Sequence, residues 1–130
     1  MLFCPVTDAA AETESQRAFA EGYFLEKASL DWFYRRYCGD NADLAEPAIS
    51  PLRAADLRGL PPAHIHTAGY DPLRDEGQAC ADALRRAGVA VRYACHEGMV
   101  HHFYNMTGTI PAARVALKEA TAAIETALAN

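Results

Sequence analysis

The sequence predicts an α/β fold with about three parallel strands and flanking helices. Short apolar segments alternate with amphipathic helical segments, an order typical of a parallel sheet covered by helices. The chain of 130 residues is 51% hydrophobic and 22% charged, which is the composition of a globular protein and not of a disordered one. This length corresponds to one domain or to part of one.

The first half of the chain contains short predicted elements. Residues 2–5 form an apolar run ending in proline, which indicates a buried strand, and a helix begins near Ser15 after a polar loop. Ser29 is predicted to cap a helix through Cys38, since its hydroxyl can accept from the free N–H groups of the first turn. Gly39 is predicted to end that helix.

The predicted helix at 29–38 is aromatic, and the segment that follows it is irregular. Leu30, Phe33, Tyr34 and Tyr37 are spaced to share one helix face, and Trp32 lies beside them. We expect this face to pack into the core. Residues 41–62 contain four prolines, which exclude long regular elements from this segment.

The second half is more regular. We predict a strand at 63–68, a helix at 75–87 that stops at Gly88, a strand at 89–95, a loop at 96–108 and a helix at 110–128. The core stripe of the last helix is predicted at the following positions: Ile110, Ala113, Leu117, Ala120, Ile124 and Leu128.

Charge, hydropathy and cysteine content exclude several classes of function. The net charge is −5 and no basic block occurs, so we expect no nucleic-acid partner. No apolar run approaches the roughly 20 residues that cross a bilayer, and the N-terminus does not resemble a signal peptide. The four cysteines lack zinc-site spacing and are predicted to be small buried side chains in a reducing, cytoplasmic compartment. A chain that opens directly in a strand suggests truncation.

Two candidate chemical groups follow neighbouring predicted strands. Asp71 comes just after the strand at 63–68, and His101 follows the strand at 89–95. The carboxyl ends of adjacent parallel strands meet at one edge of a sheet, where α/β folds bind their ligands. A carboxylate beside an imidazole fixes its tautomer and stabilises the imidazolium. We therefore predict an acid–base pair at this edge.

Several motifs closely resemble those of the hormone-sensitive-lipase-like esterases, which are α/β hydrolases. The resemblance covers essentially the whole chain and is most specific in the second and third of these runs: Leu60-Pro-Pro-Ala, Gly69-Tyr-Asp-Pro-Leu-Arg-Asp-Glu-Gly77 and Glu97-Gly-Met-Val-His-His-Phe103. The run Ser50-Pro-Leu and the opening Leu-Phe-Cys-Pro-Val-Thr-Asp also fit. The chain order of the family is serine, acid and histidine, and Asp71 and His101 match the last two.

The resemblance implies a carboxylic ester hydrolase acting on short-chain or medium-chain esters, with no metal or organic cofactor. It identifies residues 1–130 as the C-terminal portion of the hydrolase domain, because the chain has neither a His-Gly-Gly motif nor a Gly-x-Ser-x-Gly elbow. We therefore expect little or no activity from the chain alone. We also expect self-association or pairing with a complementing N-terminal segment.

Alternatives remain open at each candidate position. Asp71 could simply start a turn before Pro72; Asp75 could be the acid, although a helix-start role, shared by Glu76, is favoured. His102 replaces the glycine usual in the family, so either histidine could be catalytic, with His101 favoured.

The remaining polar residues are interpreted as structural. His64 and His66 are interpreted as packed or partly exposed strand residues and not as ligands, and His96 as a loop residue. Arg74 either pairs with a carboxylate or is exposed to solvent. The aromatic helix could line the acyl pocket. Two rival functions are a non-catalytic binding or assembly module and a pseudoenzyme.

Overall fold

The computed structural model describes residues 1–129 and contains a three-stranded parallel sheet in the order β1-β2-β3. The strands are β1 (Leu2–Phe3), β2 (Ala63–Tyr70) and β3 (Val91–Val100). The helices are α1 (Glu14–Ala18), α2 (Lys27–Cys38), α3 (Arg74–Arg86) and α4 (Pro111–Leu128), with single 3-10 turns at Pro51–Arg53 and Phe103–Met106. The predicted α/β architecture with a parallel sheet is confirmed.

The first strand is shorter than predicted. It pairs with β2 through Leu2 opposite Ile65, and the Cys4 N–H still donates to the His66 carbonyl at 2.7 Å. The ladder ends there because Pro5 has no N–H to donate. Cys4 itself has a φ of 43°, so the chain turns away from the sheet at this residue.

The third strand is longer than predicted, and the expectation of a loop from residue 96 was wrong. β3 runs to Val100, and His96 lies within it, level with Ala68 of β2. The polar residues and glycine of this stretch hide its strand character, which comes from backbone pairing with β2. The register shifts between Ala68 and Tyr70, which is level with Val100.

At this register shift the two strands approach very closely. A Cβ added to Gly69 would lie 2.2 Å from the carbonyl oxygen of Glu97, a distance that no side-chain carbon tolerates. Glycine therefore permits the close backbone contact at the register shift, beyond which β3 stays paired with β2 to the end of both strands.

Helix α3 covers one face of the sheet. Its buried residues Cys80, Ala81 and Leu84 form a cluster with Ile65 of β2 and Val89. The helix ends as predicted, since Gly88 follows it with a φ of +81°.

Helix α2 differs from the prediction at its start and on its aromatic face. It begins at Lys27 with Glu26 at the N-cap, so Ser29 lies inside the helix and does not cap it. Of the predicted core face only Leu30 is buried, whereas Phe33 is 52% exposed and Tyr37 92% exposed. Helical spacing shows which residues share a face, but it does not show whether another element covers that face. The expectation of core packing was therefore wrong for most of it.

Helix α4 buries only small residues, of which Ala113 and Ala120 belong to the predicted stripe. Its buried positions are Ala113, Ala116 and Ala120, and the first two pack in a cluster with Ala68 and Phe103. The following predicted core residues stay exposed: Leu117, Ile124 and Leu128. Within the described range, no helix combines the length and apolar character that a membrane span requires.

Candidate active site

Asp71 lies directly after β2 and is fully buried. Its Oδ1 accepts a hydrogen bond from the Leu73 N–H at 2.9 Å, which forms the turn that leads into α3. Its second oxygen points away from this turn. Asp71 thus makes the turn expected of an Asp-Pro pair and still has a carboxylate oxygen free for a second contact.

His101 supplies that second contact. Its Nδ1 lies 2.9 Å from Asp71 Oδ2, and its side chain remains 21% exposed. When Nδ1 carries the ring proton and donates a hydrogen bond to the carboxylate, Nε2 carries the lone pair and can accept a proton from another group. The structure therefore brings together the two residues that the sequence predicted to meet.

A small pocket opens beside this pair. It has a volume of about 270 Å³ and is lined by the following residues: Phe3, Cys4, His101, His102, Tyr104 and Asn105. Solvent and small solutes can therefore reach the imidazole from the side on which β1 ends.

Cys4 completes a cluster that sequence reasoning missed. A side-chain ligand atom from each of Cys4, Asp71 and His101 lies within 4.8 Å of the other two. Burial and, secondly, the Asp71 carboxylate raise the pKa of the Cys4 thiol to about 12, so the group is a neutral thiol at pH 7. Only the fold brings Cys4 here, since 67 residues separate it from Asp71 (71 − 4).

His102, which replaces the usual family glycine, adopts the left-handed conformation with a φ of 66° and a ψ of 12°. Its ring contacts Asn105 through Nε2 and stacks beside the His101 ring, with the centroids 6.0 Å apart. The backbone turn needed after His101 is therefore made without glycine. The Asp71 carboxylate contacts His101 and not His102 in the hydrogen-bond network.

Because His102 is held in the left-handed region, the effect of a substitution there on stability should depend on how well the new residue tolerates that region. We expect His102→Gly to leave the free energy of unfolding within about 1 kcal/mol of the parent, since relief of strain offsets the greater freedom of the unfolded chain. His102→Val should destabilise by roughly 1–2 kcal/mol, because a β-branched residue tolerates this region poorly. Urea unfolding of both variants measures the difference, and equal stability of the two would contradict this account.

The alternative acid, Asp75, has different partners. It lies in the first turn of α3, where Oδ2 accepts from the Ser15 N–H at 2.8 Å and Oδ1 accepts from Arg74 Nε at 2.9 Å. The predicted first-turn position and the predicted carboxylate partner for Arg74 are both observed. Asp75 thus ties α1 to α3.

Glu76 is more than a first-turn residue. It is 1% exposed, and its Oε1 accepts from the N–H groups of Thr7 at 2.7 Å and Asp8 at 3.2 Å. Its Oε2 accepts from Gln16 Nε2 at 3.2 Å. This carboxyl group holds the segment after β1 against α3 and so helps to position the strand end that carries Cys4.

A histidine pair lies on the sheet face near α4. His66 Nδ1 is 3.1 Å from His96 Nε2, which is also 3.0 Å from the Tyr104 hydroxyl. Burial, followed by the neighbouring His96 and His64, lowers the pKa of His66 to about 4. The packed role predicted for His66 is observed, although the hydrogen-bonded pair was not foreseen because His96 was assigned to a loop.

The low pKa of His66 predicts a loss of stability in acid. The folded chain binds fewer protons at His66 than the unfolded chain, whose histidine titrates near 6.5. Stability due to neutral His66 is therefore present above pH 6.5 and is lost as the pH falls towards 4, by up to about 3 kcal/mol. Urea unfolding at about pH 7.5 and about pH 4.5 should show a smaller drop for His66→Gln than for the parent. His64→Gln should reduce the drop by less than His66→Gln, because His64 contributes less than burial and His96 to the lowered pKa of His66.

Comparisons with known proteins place this geometry in a family. A family model described as alpha/beta hydrolase fold matches residues 1–105. Carboxylic ester hydrolase LipN of Mycobacterium tuberculosis is 46% identical over 106 residues, which are 81% of this chain and 28% of LipN.

Solved structures agree with the family match. An α/β-hydrolase enzyme from the metagenome of Lake Arreo, Spain, superposes with a TM-score of 0.92 at 44% identity, covering 98% of this chain and 42% of that enzyme. A thermostable esterase from Pseudomonas putida superposes with a TM-score of 0.85 at 42% identity, covering 92% of this chain and 39% of the esterase. The chain thus spans well under half of the length of these proteins. Because the family match covers most of its residues, the chain belongs to the α/β-hydrolase fold family.

Proposed function

We propose that this chain forms the acid- and histidine-bearing part of a serine carboxylesterase of the hormone-sensitive-lipase-like type. The observation that carries the proposal is the contact of 2.9 Å between His101 Nδ1 and Asp71 Oδ2, made where two adjacent parallel strands end. The names of LipN and of the Pseudomonas putida esterase, both ester hydrolases, support the same reaction class.

In the proposed reaction, His101 Nε2 takes the proton of a serine hydroxyl as the serine oxygen attacks the carbonyl carbon of an ester. The imidazolium, stabilised by buried Asp71, then gives this proton to the departing alcohol. Water hydrolyses the acyl-enzyme through the same base, which restores the serine. None of these steps requires a metal or an organic cofactor.

The serine and the oxyanion donors would come from the N-terminal portion of the same hydrolase domain, residues 1–130 being its C-terminal portion. That portion would also cover the outer edge of β1, where Leu2 is 38% exposed and Phe3 is 40% exposed. The proposed substrates are short-chain and medium-chain carboxylic esters. Four unpaired thiols among the described residues support a reducing, cytoplasmic location.

A chimera tests the proposal. The aligned 39% of the Pseudomonas putida esterase is replaced by this chain, so that the esterase supplies the remainder of its own domain. The chimera should hydrolyse p-nitrophenyl acetate, and the purified 130-residue chain should not exceed the rate of its own His101→Ala variant. A folded but inactive chimera would refute the proposed role. Activity of the isolated chain that depends on His101 would refute the need for a second portion.

A further inference from the structure

The cluster of Cys4, Asp71 and His101 contains one sulfur, one oxygen and one nitrogen ligand atom, all within 4.8 Å of one another. In a tetrahedral Zn²⁺ site, neighbouring ligand atoms are about 3.3–3.8 Å apart, as follows from the usual metal–ligand distances. The His101–Asp71 contact of 2.9 Å is slightly shorter than this. Shifts on the order of 1 Å would therefore place all three atoms around one ion.

The surroundings supply the other requirements of a metal site. Cys4 and Asp71 are buried, while the half-buried His101 side chain faces the pocket of about 270 Å³ that Cys4 also lines. The pocket gives an ion a path to the ligands and leaves room for a water molecule as a fourth ligand. The left-handed turn of Cys4, with a φ of 43°, holds the thiol beside the carboxylate instead of continuing the strand.

We propose that Cys4, Asp71 and His101 form an inhibitory site for a thiophilic divalent cation such as Zn²⁺ or Cd²⁺. The ion replaces the thiol proton of Cys4, which passes to solvent, and it binds His101 at Nδ1 after the single proton of the neutral imidazole has moved to Nε2. Asp71 binds as the carboxylate it already is. The net charge at the site changes only by the ion's two positive charges and the one released proton, and nothing is oxidised or reduced.

Occupation of this site would stop the proposed ester hydrolysis. An ion on Nδ1 takes the carboxylate away from the imidazole and leaves the proton of the ring on Nε2, so Nε2 has no lone pair with which to accept the serine proton. Inhibition therefore rests on the proposed esterase function, whereas ion binding does not. The ion would inhibit the reaction, and a chelator would restore it.

Titration of the 130-residue chain with CdCl₂ tests the site through the ultraviolet thiolate-to-cadmium absorption. The parent should bind about one Cd²⁺ with this absorption. Cys4→Ser should abolish the absorption and weaken binding by more than the roughly 10- to 100-fold that loss of an outer-sphere partner costs. Cys38→Ser, which removes a half-buried thiol from α2, should bind like the parent. Far-ultraviolet circular dichroism checks that each variant is folded.

Two outcomes would overturn the proposal: a folded parent that binds no Cd²⁺, or a Cys4→Ser variant that binds it as tightly as the parent. In the active chimera, ZnCl₂ should inhibit the parent and leave Cys4→Ser at least roughly tenfold less sensitive. Equal sensitivity would overturn the inhibitory role. If Cd²⁺ binds but the chimera shows no activity dependent on His101, the metal site stands and the proposed esterase function fails.

Discussion

Asp71→Asn is expected to lower kcat of the chimeric esterase about 10,000-fold with little change in KM. The amide can fill the space of the carboxylate, and it can still accept from the Leu73 N–H that Asp71 Oδ1 now binds at 2.9 Å. It carries no charge to stabilise the imidazolium, and its amide group favours the wrong tautomer of His101. Initial rates with p-nitrophenyl acetate over a range of concentrations separate kcat from KM.

Asp75→Asn is the matched control for this effect. Asp75 has the same side chain four residues further on, but it binds Ser15 and Arg74 instead of the imidazole. We expect its kcat to stay within roughly tenfold of the parent. If Asp75→Asn lowers kcat as much as Asp71→Asn does, the acid has been assigned to the wrong carboxylate.

Glu76→Ala should be among the most destabilising single substitutions in the chain, at about 3 kcal/mol or more. The change removes the buried carboxyl group that accepts hydrogen bonds from the N–H groups of Thr7 and Asp8 and from the Gln16 amide. These three donors are then left without an acceptor. It also opens a cavity between α3 and the segment after β1. Urea unfolding at pH 7 measures the loss, and a loss below about 1 kcal/mol would contradict the role given to Glu76.

Glu76→Gln separates the charge of this side chain from its hydrogen bonds. Burial raises the pKa of Glu76 to about 7 from 4.5, so the folded chain binds more protons than the unfolded chain between these values. The stabilisation from the protonated form is complete below pH 4.5 and is lost as the pH rises through 7. Glu76→Gln should remove this dependence and should be far more stable than Glu76→Ala. The buried Gln16 Oε1, which lacks a partner among the described residues, can turn to accept from the new amide.

The sequence was most informative where local signals and topology agree. The alternation of strands and helices indicated the parallel sheet, and the strand ends then brought Asp71 and His101 together without knowledge of any contact. Their contact of 2.9 Å needs only that β2 and β3 be neighbours and parallel. Similarly, Gly88 indicated the end of α3 because a positive φ is a local property of the chain.

Other features depended on contacts that no local pattern encodes. The length of β3 comes from pairing with β2, which is why His96 was assigned to a loop. Helix α4 buries Ala116 and leaves Leu117 exposed, because the helix face that packs against Ala68 and Phe103 carries alanines. Cys4 could not be linked to the site because its neighbours there, Asp71 and His101, are far away along the chain.

The contact between Gly69 and the backbone of Glu97 restricts which substitutions the chain can accept at position 69. An added Cβ would meet the Glu97 carbonyl oxygen at 2.2 Å, so any other residue must push the two strands apart. His101 lies just past the end of β3 with its side chain 21% exposed, so its replacement would not separate the strands. Glycine at position 69 is therefore required by the architecture of the sheet, whatever chemistry takes place at its edge.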